Sequence, residues 1–154
     1  ANEDELPEAL RGQFDSVLVD APCSGTGTMR RHPETAWALE QAIVDPENVD
    51  SLPSLQLRLL RAAASRVAVG GSLVYATCSV LPEENSCVVE RFLASEEGRG
   101  FVRGDILTAP AVAALDERSR APFERNLNER GEFQSTPIHD AFDGHFFARL
   151  IRES

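Results

Sequence analysis

The segment FDSVLVD, Phe14–Asp20, decides the fold, because it is a short apolar run rich in β-branched residues and is soon followed by Pro22. A second run of this kind, SLVYAT, occupies residues 72–77. A cysteine stands just beyond each run, Cys23 after the first and Cys78 after the second. The sequence therefore predicts two buried strands, each with a thiol at its carboxyl end.

A helical pattern lies between the two runs. Apolar residues recur at helical spacing over residues 52–69, and Gly70 and Gly71 are expected to end this helix. The other predicted elements are a short helix at 33–39, a helix beginning at Pro82, strands at 101–107 and 145–151, and a long mixed segment at 108–143. This order predicts an α/β fold with a mostly parallel sheet, in which ligands bind at the carboxyl ends of the strands. If the two cysteine-bearing strands are neighbours, about 4.8 Å apart, both thiols face one site.

The composition indicates one domain with reduced thiols in the cytoplasm. The chain has 154 residues, of which 1–13 are expected to be an acidic lead-in and 14–154 the folded domain. Its three cysteines are an odd number without secretory features, and no apolar run approaches the roughly 20 residues of a membrane span. The formal net charge of −10 argues against a general nucleic-acid binder, whose affinity depends on a basic surface.

Two thiols in one pocket suit covalent chemistry on a flat electrophilic ring. Asp20 brings a carboxyl group to the strand end that carries Cys23, and Gly25 and Gly27 leave room near the backbone. This set fits methylation of a pyrimidine at C5, because a thiolate that adds at C6 makes C5 nucleophilic. A carboxyl group near N3 would stabilise the charge that develops, and a base must then remove the C5 proton before the thiol leaves.

The residues around both cysteines resemble a known family, the RNA cytosine-C5 methyltransferases of the NOL/NOP/Sun (RsmB-like) type. Residues 20–27, DAPCSGTG, with RRHP at 30–33, resemble motif IV of that family, and YATCS at 75–79 with PEEN at 82–85 resembles motif VI. Residues 143–150, DGHFFARL, resemble its final strand, although His145 departs from the usual pattern. The two cysteine motifs in this order are highly specific, and the resemblance spans most of residues 14–151.

The resemblance implies roles for the two cysteines and for two residues close to Cys23. Cys78 would be the nucleophile at C6, and Cys23 would assist release of the product from the covalent adduct. Asp20 would contact N3 of the cytosine and lie close to the methyl donor, and Pro22 would shape the pocket, so both are expected cofactor contacts. DNA cytosine methyltransferases instead use the cysteine of a Pro-Cys pair as the nucleophile, and Pro22–Cys23 is such a pair. The Thr77–Cys78 motif favours Cys78.

The resemblance also implies an RNA substrate, ribosomal RNA in particular, with a cytosine unstacked from its neighbours to reach Cys78. Arg30, Arg31 and His32 are expected to contact this substrate through phosphate or base groups. Asn85 is expected to contact the substrate or to organise the loop that carries Cys78.

One part of the family's pattern is absent from this sequence. The glycine-rich loop that binds S-adenosylmethionine has no counterpart, since Gly25 and Gly27 belong to a cysteine motif and Gly70 and Gly71 follow a predicted helix. We therefore expect the C-terminal half of a Rossmann-like class I methyltransferase fold, with an antiparallel last strand and without the first cofactor-binding strands. Such a chain would need the N-terminal half of the catalytic domain as a partner, would be inactive alone, and would expose a sheet edge prone to self-association.

Two other functions stay open. One is a non-catalytic RNA-binding or scaffold fragment that keeps the fold without the cofactor half. The other is a cysteine hydrolase that pairs Cys23 or Cys78 with a histidine, although no motif places His32, His139 or His145 near a thiol. The histidines and cysteines also lack metal-ligand spacing, so no metal is expected.

Overall fold

The structure, a computed structural model, describes residues 12–39, 48–139 and 141–154. Within these ranges five strands join in one sheet. The strands are β1 (Phe14–Asp20), β2 (Val67–Thr77), β3 (Phe101–Gly104), β4 (Phe133–Gln134) and β5 (Phe146–Arg152). The α-helices are α1 (Thr35–Leu39), α2 (Leu52–Ala64), α3 (Ser86–Leu93), α4 (Pro110–Ala113) and α5 (Glu117–Arg125). Residues 1–11 of the predicted acidic lead-in lie outside the described residues.

The strands lie in the order β1-β2-β5-β3, and β4 pairs with β5 beside this path. β1 and β2 are parallel, whereas β5 is antiparallel to each of its neighbours β2, β3 and β4. Four strands therefore run in one direction and the last strand runs against them. This arrangement confirms the predicted α/β fold with mostly parallel strands and an antiparallel last strand.

One face of the sheet is covered by α2 and α3, and the hydrophobic core lies between this face and the two helices. Leu73 and Tyr75 of β2 are fully buried there, together with Leu60 of α2 and Phe92 of α3. Ser51 caps α2, because its hydroxyl accepts a hydrogen bond from the backbone N–H of Ser54. None of the helices in the described ranges is long and apolar enough to cross a membrane.

The predicted helix at residues 52–69 is too long, because α2 ends at Ala64 and β2 begins at Val67. The two glycines do not end a helix. They lie inside β2, where the register shifts between the pairs Phe14–Val67 and Ser16–Ser72. Gly70 adopts a φ of 81°, which favours glycine, and the extra residues bulge out of the strand. The β-branched valines beside the bulge continue the strand instead of the helix.

The prediction that the first strand is buried is also wrong. β1 ends the strand order, its side chains alternate between partly buried and exposed, and Leu18 is 65% exposed. The third strand is shorter than predicted, because it ends at Gly104 and Asp105 caps a 3-10 turn instead. The mixed segment at 108–143 contains α4, α5 and β4, none of which the sequence indicated.

Candidate active site

The two cysteines meet at the carboxyl ends of neighbouring parallel strands. Asp20, the last residue of β1, pairs in register with Ala76 near the end of β2. Cys23 follows three residues after Asp20, and Cys78 follows two residues after Ala76. The sulfur atoms of Cys23 and Cys78 lie 3.3 Å apart, within hydrogen-bonding distance, and both are free thiols. The prediction of one site shared by two strand ends is thus confirmed in its geometry.

The environment of Cys23 favours its protonated form. Burial, followed by the hydrogen bond with Cys78, raises the pKa of the Cys23 thiol from an ordinary 9.0 to about 12. At neutral pH Cys23 therefore keeps its proton and can donate it towards the sulfur of Cys78. Since the thiolate is the nucleophilic form of cysteine, Cys23 is poorly suited to attack and well suited to exchange a proton.

Two glycines bring three loops together beside the thiols. The N–H of Gly27 donates to the carbonyl of Cys78 at 2.9 Å, and the N–H of Gly144 donates to the carbonyl of Gly27 at 2.8 Å. A Cβ on Gly27 would lie 2.2 Å from the carbonyl oxygen of Gly144, so a side chain does not fit. The loops after β1, after β2 and before β5 are therefore held together by backbone contacts that require glycine.

Hydroxyl groups tie the two cysteine loops to each other. The hydroxyls of Thr26 and Ser79 lie 3.1 Å apart, and Thr26 Oγ1 also accepts from the N–H of Val80 at 3.0 Å. Ser24 Oγ lies 3.3 Å from Ser79 Oγ. Thr26 and Ser79 are buried, so these bonds replace water within the site. The arrangement fixes the backbone of Cys78 relative to that of Cys23.

A buried carboxylate that the sequence reasoning did not single out lies behind Cys23. Glu84 is fully buried, and its Oε1 accepts from the N–H of Ser24 at 2.9 Å and from Nε2 of Gln56 at 3.0 Å. Its Oε2 accepts from the hydroxyl of Ser24. The PEEN motif at 82–85 contains Glu84, but the acceptor role depends on partners far away in the chain.

Comparison with known proteins decides the family. The family model described as "16S rRNA methyltransferase RsmB/F" matches residues 3–151, almost the whole chain. The chain belongs to the RsmB/F family. Ribosomal RNA small subunit methyltransferase B from Escherichia coli O6:K15:H31 is 38% identical over 141 residues, which are 92% of this chain and 27% of that protein. The same enzyme from Escherichia coli K12 is 37% identical over the same shares. The chain thus spans about a quarter of the length of these relatives.

Solved structures show the RsmB/F chain to have a Rossmann-like methyltransferase fold. The crystal structure of PH0851 superposes with a TM-score of 0.69 at 30% identity, and covers 96% of this chain and 29% of that chain. A methyltransferase homologue from Pyrococcus horikoshii gives a TM-score of 0.55 at 27% identity, over 90% of this chain and 39% of its own. NSun6 from Pyrococcus horikoshii with SFG shares the fold at 20% identity, with a TM-score of 0.57, over 93% of this chain and 31% of its own.

The two predicted cofactor contacts of this RsmB/F chain lie at the open side of the site. Asp20 and Pro22 are both exposed, one at the end of β1 and the other just before Cys23. An exposed carboxylate at this point suits a cationic methyl donor such as S-adenosylmethionine, on which methyltransferases generally depend.

Asn85 does not fit the predicted substrate contact, because it is 1% exposed. Its Oδ1 accepts from the hydroxyl of Thr77 at 2.6 Å, and its Nδ2 donates to the carbonyl of Ser79 at 2.9 Å. These residues stand on either side of Cys78. The structure therefore places Asn85 behind the Cys78 loop, bonded to the residues before and after the cysteine.

The predicted substrate contacts Arg30, Arg31 and His32 are exposed, but each side chain already contacts another group of the protein. Arg31 bonds the buried carboxylate of Asp143 and holds the pKa of that group below its ordinary range, while Arg30 donates to the carbonyl of Ala141 at 3.1 Å. Nδ1 of His32 lies 3.1 Å from a carboxylate oxygen of its near neighbour Glu34. The two arginines thus tie the loop after β1 to the loop before β5, and their outer faces remain open to solvent.

The remaining histidines do not assemble a hydrolase site. The ring of His145 stacks on Phe147, with centroids 6.1 Å apart, and none of the hydrogen bonds of the described residues joins a histidine to Cys23 or Cys78. Among the described residues there is also no cluster of three or more metal-ligating side chains.

Proposed function

We propose that this chain carries the thiol half of the active site of an S-adenosylmethionine-dependent RNA cytosine-C5 methyltransferase acting on ribosomal RNA. The observation that carries the proposal is the pair of sulfur atoms 3.3 Å apart, at the carboxyl ends of two adjacent parallel strands. Membership of a family of 16S rRNA methyltransferases supports the substrate class. Residues 14–154 would be the part of the catalytic domain that attacks and releases the base, and this chain would be inactive alone.

In the proposed reaction the two thiols have different tasks. The Cys78 thiolate forms a bond to C6 of the cytosine, and the Asp20 carboxyl at N3 stabilises the charge that moves onto the ring. S-adenosylmethionine supplies the methyl group that C5 accepts. A base then takes the C5 proton, and the electron pair of the C5–H bond restores the double bond between C5 and C6 as the bond between C6 and sulfur breaks. Cys23, which holds its own proton at neutral pH, serves this release by exchanging a proton with the departing Cys78 sulfur.

The test is covalent capture of RNA by the chain itself. In 5-azacytosine, a thiolate can add at C6 and a proton at N5, so that an adduct persists without a methyl donor. We expect the unmodified chain and Cys23→Ala to give a denaturant-resistant adduct with a ribosomal RNA fragment carrying this base, detected as a slowed band on a denaturing gel. Cys78→Ala should give none. Cys87→Ala is the matched control, since this third free cysteine is partly exposed and lies on α3, and it should leave the adduct unchanged.

The opposite pattern, an adduct with Cys78→Ala and none with Cys23→Ala, would overturn the assignment of the nucleophile. The same fold allows one alternative function. It is a non-catalytic RNA-binding or scaffold role. Binding of the RNA without an adduct in any variant would support that role instead.

A further inference from the structure

Gln56 and Glu84 are buried polar residues that the proposed reaction does not use. Both are fully buried, Gln56 on α2 and Glu84 in the 3-10 turn that precedes α3. Nε2 of Gln56 donates to Oε1 of Glu84 at 3.0 Å, so the two side chains act as one hydrogen-bonded pair. Burial of an amide and a carboxyl group is unfavourable unless they form hydrogen bonds, so the further partners of this pair indicate what it holds in place.

The partners are the peptide groups on either side of Cys23. Nε2 of Gln56 also donates to the carbonyl oxygen of Pro22, at 2.9 Å. Glu84 accepts from the N–H of Ser24 at 2.9 Å and from its hydroxyl. The Gln56–Glu84 pair therefore grips the backbone immediately before and immediately after Cys23. Because these bonds join buried groups, loss of any one of them would leave a buried polar atom without a partner, which is costly.

The pair is itself anchored to the strand that carries Cys78. The hydroxyl of Tyr75, in β2, donates to the backbone carbonyl of Glu84 at 2.6 Å. Tyr75 is fully buried and lies three residues before Cys78 in the chain. Glu84 and Tyr75 therefore connect the backbone beside Cys23 to β2, the strand that also carries Cys78.

We propose that Gln56 and Glu84 are positioning residues, which act through the backbone to hold the Cys23 sulfur against the Cys78 sulfur. Neither side chain reaches the substrate side of the site, since both are fully buried. These bonds hold the backbone beside Cys23 whatever reaction the site performs. Their catalytic consequence, an effect on release of the product, rests on the proposed function.

The test is the rate at which the two thiols join. Diamide oxidises Cys23 and Cys78 to a disulfide while it is reduced to its hydrazine, and peptide mass spectrometry measures the product. Since a mispositioned thiol rarely meets its partner, we expect Glu84→Ala to slow this step about tenfold or more. Glu84→Gln should stay near the unmodified rate, because the amide keeps an oxygen for Ser24 N–H and Ser24 Oγ can accept from its NH2 group.

Glu132→Ala is the matched control for loss of a buried carboxylate. Glu132 is 1% exposed and likewise accepts from a serine hydroxyl, that of Ser86 at 2.6 Å, but it does not contact the cysteine loops. It should leave the rate of disulfide formation unchanged. If Glu84→Ala fails to fold by circular dichroism, Gln56→Met replaces it, since methionine keeps the shape and loses only the donors to Pro22 and Glu84.

An unchanged rate in Glu84→Ala, or an equal loss in Glu132→Ala, would overturn the proposal whatever the RNA assay gives. The adduct assay separates the two proposals. If the unmodified chain forms no RNA adduct, the proposed function fails while the thiol rates still decide the positioning role. If it does, Glu84→Ala should still form the adduct through Cys78, and loss of that adduct would contradict an action on Cys23 alone.

Discussion

Cys23 and Cys78 differ in ways that residue identity alone does not reveal. Cys23 follows Pro22 in a loop whose backbone is hydrogen-bonded to buried Gln56 and Glu84. Burial of the Cys23 thiol raises its pKa to about 12. At pH 9 about half of an ordinary cysteine with a pKa of 9.0 would be thiolate, but only about a thousandth of Cys23 would be. The native state therefore favours the protonated thiol, and this preference is lost only as the pH rises through the raised pKa.

This difference predicts slow alkylation of Cys23 in the native chain. At pH 8 to 9, iodoacetamide should modify Cys23 at least tenfold more slowly than in the chain unfolded in guanidinium, because only the thiolate reacts. Peptide mass spectrometry follows each cysteine separately. Cys78→Ala should speed the reaction at Cys23, since one of the causes of the raised pKa is removed. Equal rates at Cys23 in the folded and unfolded chain would contradict this account.

Gly27 is a second residue whose role depends on its surroundings. The carbonyls of Gly144 and Cys78 lie 2.2 and 2.8 Å from the place a Cβ would occupy, and both are backbone atoms that cannot turn aside. Gly27→Ala should therefore lower the free energy of unfolding by about 3 kcal/mol, as overpacked sites do. Urea denaturation followed by circular dichroism measures this change.

The control for Gly27 is Gly104→Ala in β3. There a Cβ would meet the side chain of Ile151, at 2.8 Å, and a side chain can move. This change should cost clearly less stability than Gly27→Ala. If the two variants unfold at the same urea concentration, the glycine contact between the loops is not what holds them together.

Sequence reasoning finds residues whose chemistry is local and misses those defined by distant partners. The two cysteines were predicted at the carboxyl ends of strands, and they lie there. Glu84 belongs to the PEEN motif at 82–85, yet its partners Ser24 and Gln56 are 60 and 28 residues away. No periodicity in the sequence indicates such a contact. For the same reason the sequence does not reveal that Asn85 is buried.

Outside the segment at 108–143, the sequence predicts the order of strands and helices but not where each of them ends. Residues 52–64 form part of the expected helix, and the helix expected after Pro82 is α3, which buries Val88, Val89 and Phe92. The sequence predicts the wrong boundary between α2 and β2, because glycines commonly end helices. Here Gly70 and Gly71 form a bulge opposite β1 instead. Local sequence does not distinguish these two uses of glycine, since the pairing of β2 with β1 decides between them.

Within the segment at 108–143, the helices have weak local signals. Asp116 caps α5 by accepting from the N–H of Ser119, but Pro122 lies inside this helix, where proline is unfavourable. β4 has only two residues and exists through its pairing with β5. Tertiary contacts with β5 thus define structure that propensity alone does not predict.

For the molecule as a whole, β1 forms an open edge of the sheet in the described part of the chain. β1 pairs with β2 on one side, and no strand of residues 12–39, 48–139 or 141–154 lies on its other side. Leu18, in the middle of β1, is 65% exposed. Unpaired backbone N–H and C=O groups beside an exposed leucine form a surface on which another strand can pair.

We therefore expect the chain to self-associate through β1. Leu18→Arg places a charge on this edge and should shift the sedimentation velocity distribution towards the monomer, because like charges oppose pairing of two such edges. Ile138→Arg is the matched control, since Ile138 is also an exposed apolar residue, at 86%, but lies outside the sheet. It should leave the distribution unchanged. An unmodified chain that stays monomeric at every concentration, or a shift of equal size with Ile138→Arg, would show that the β1 edge does not drive association.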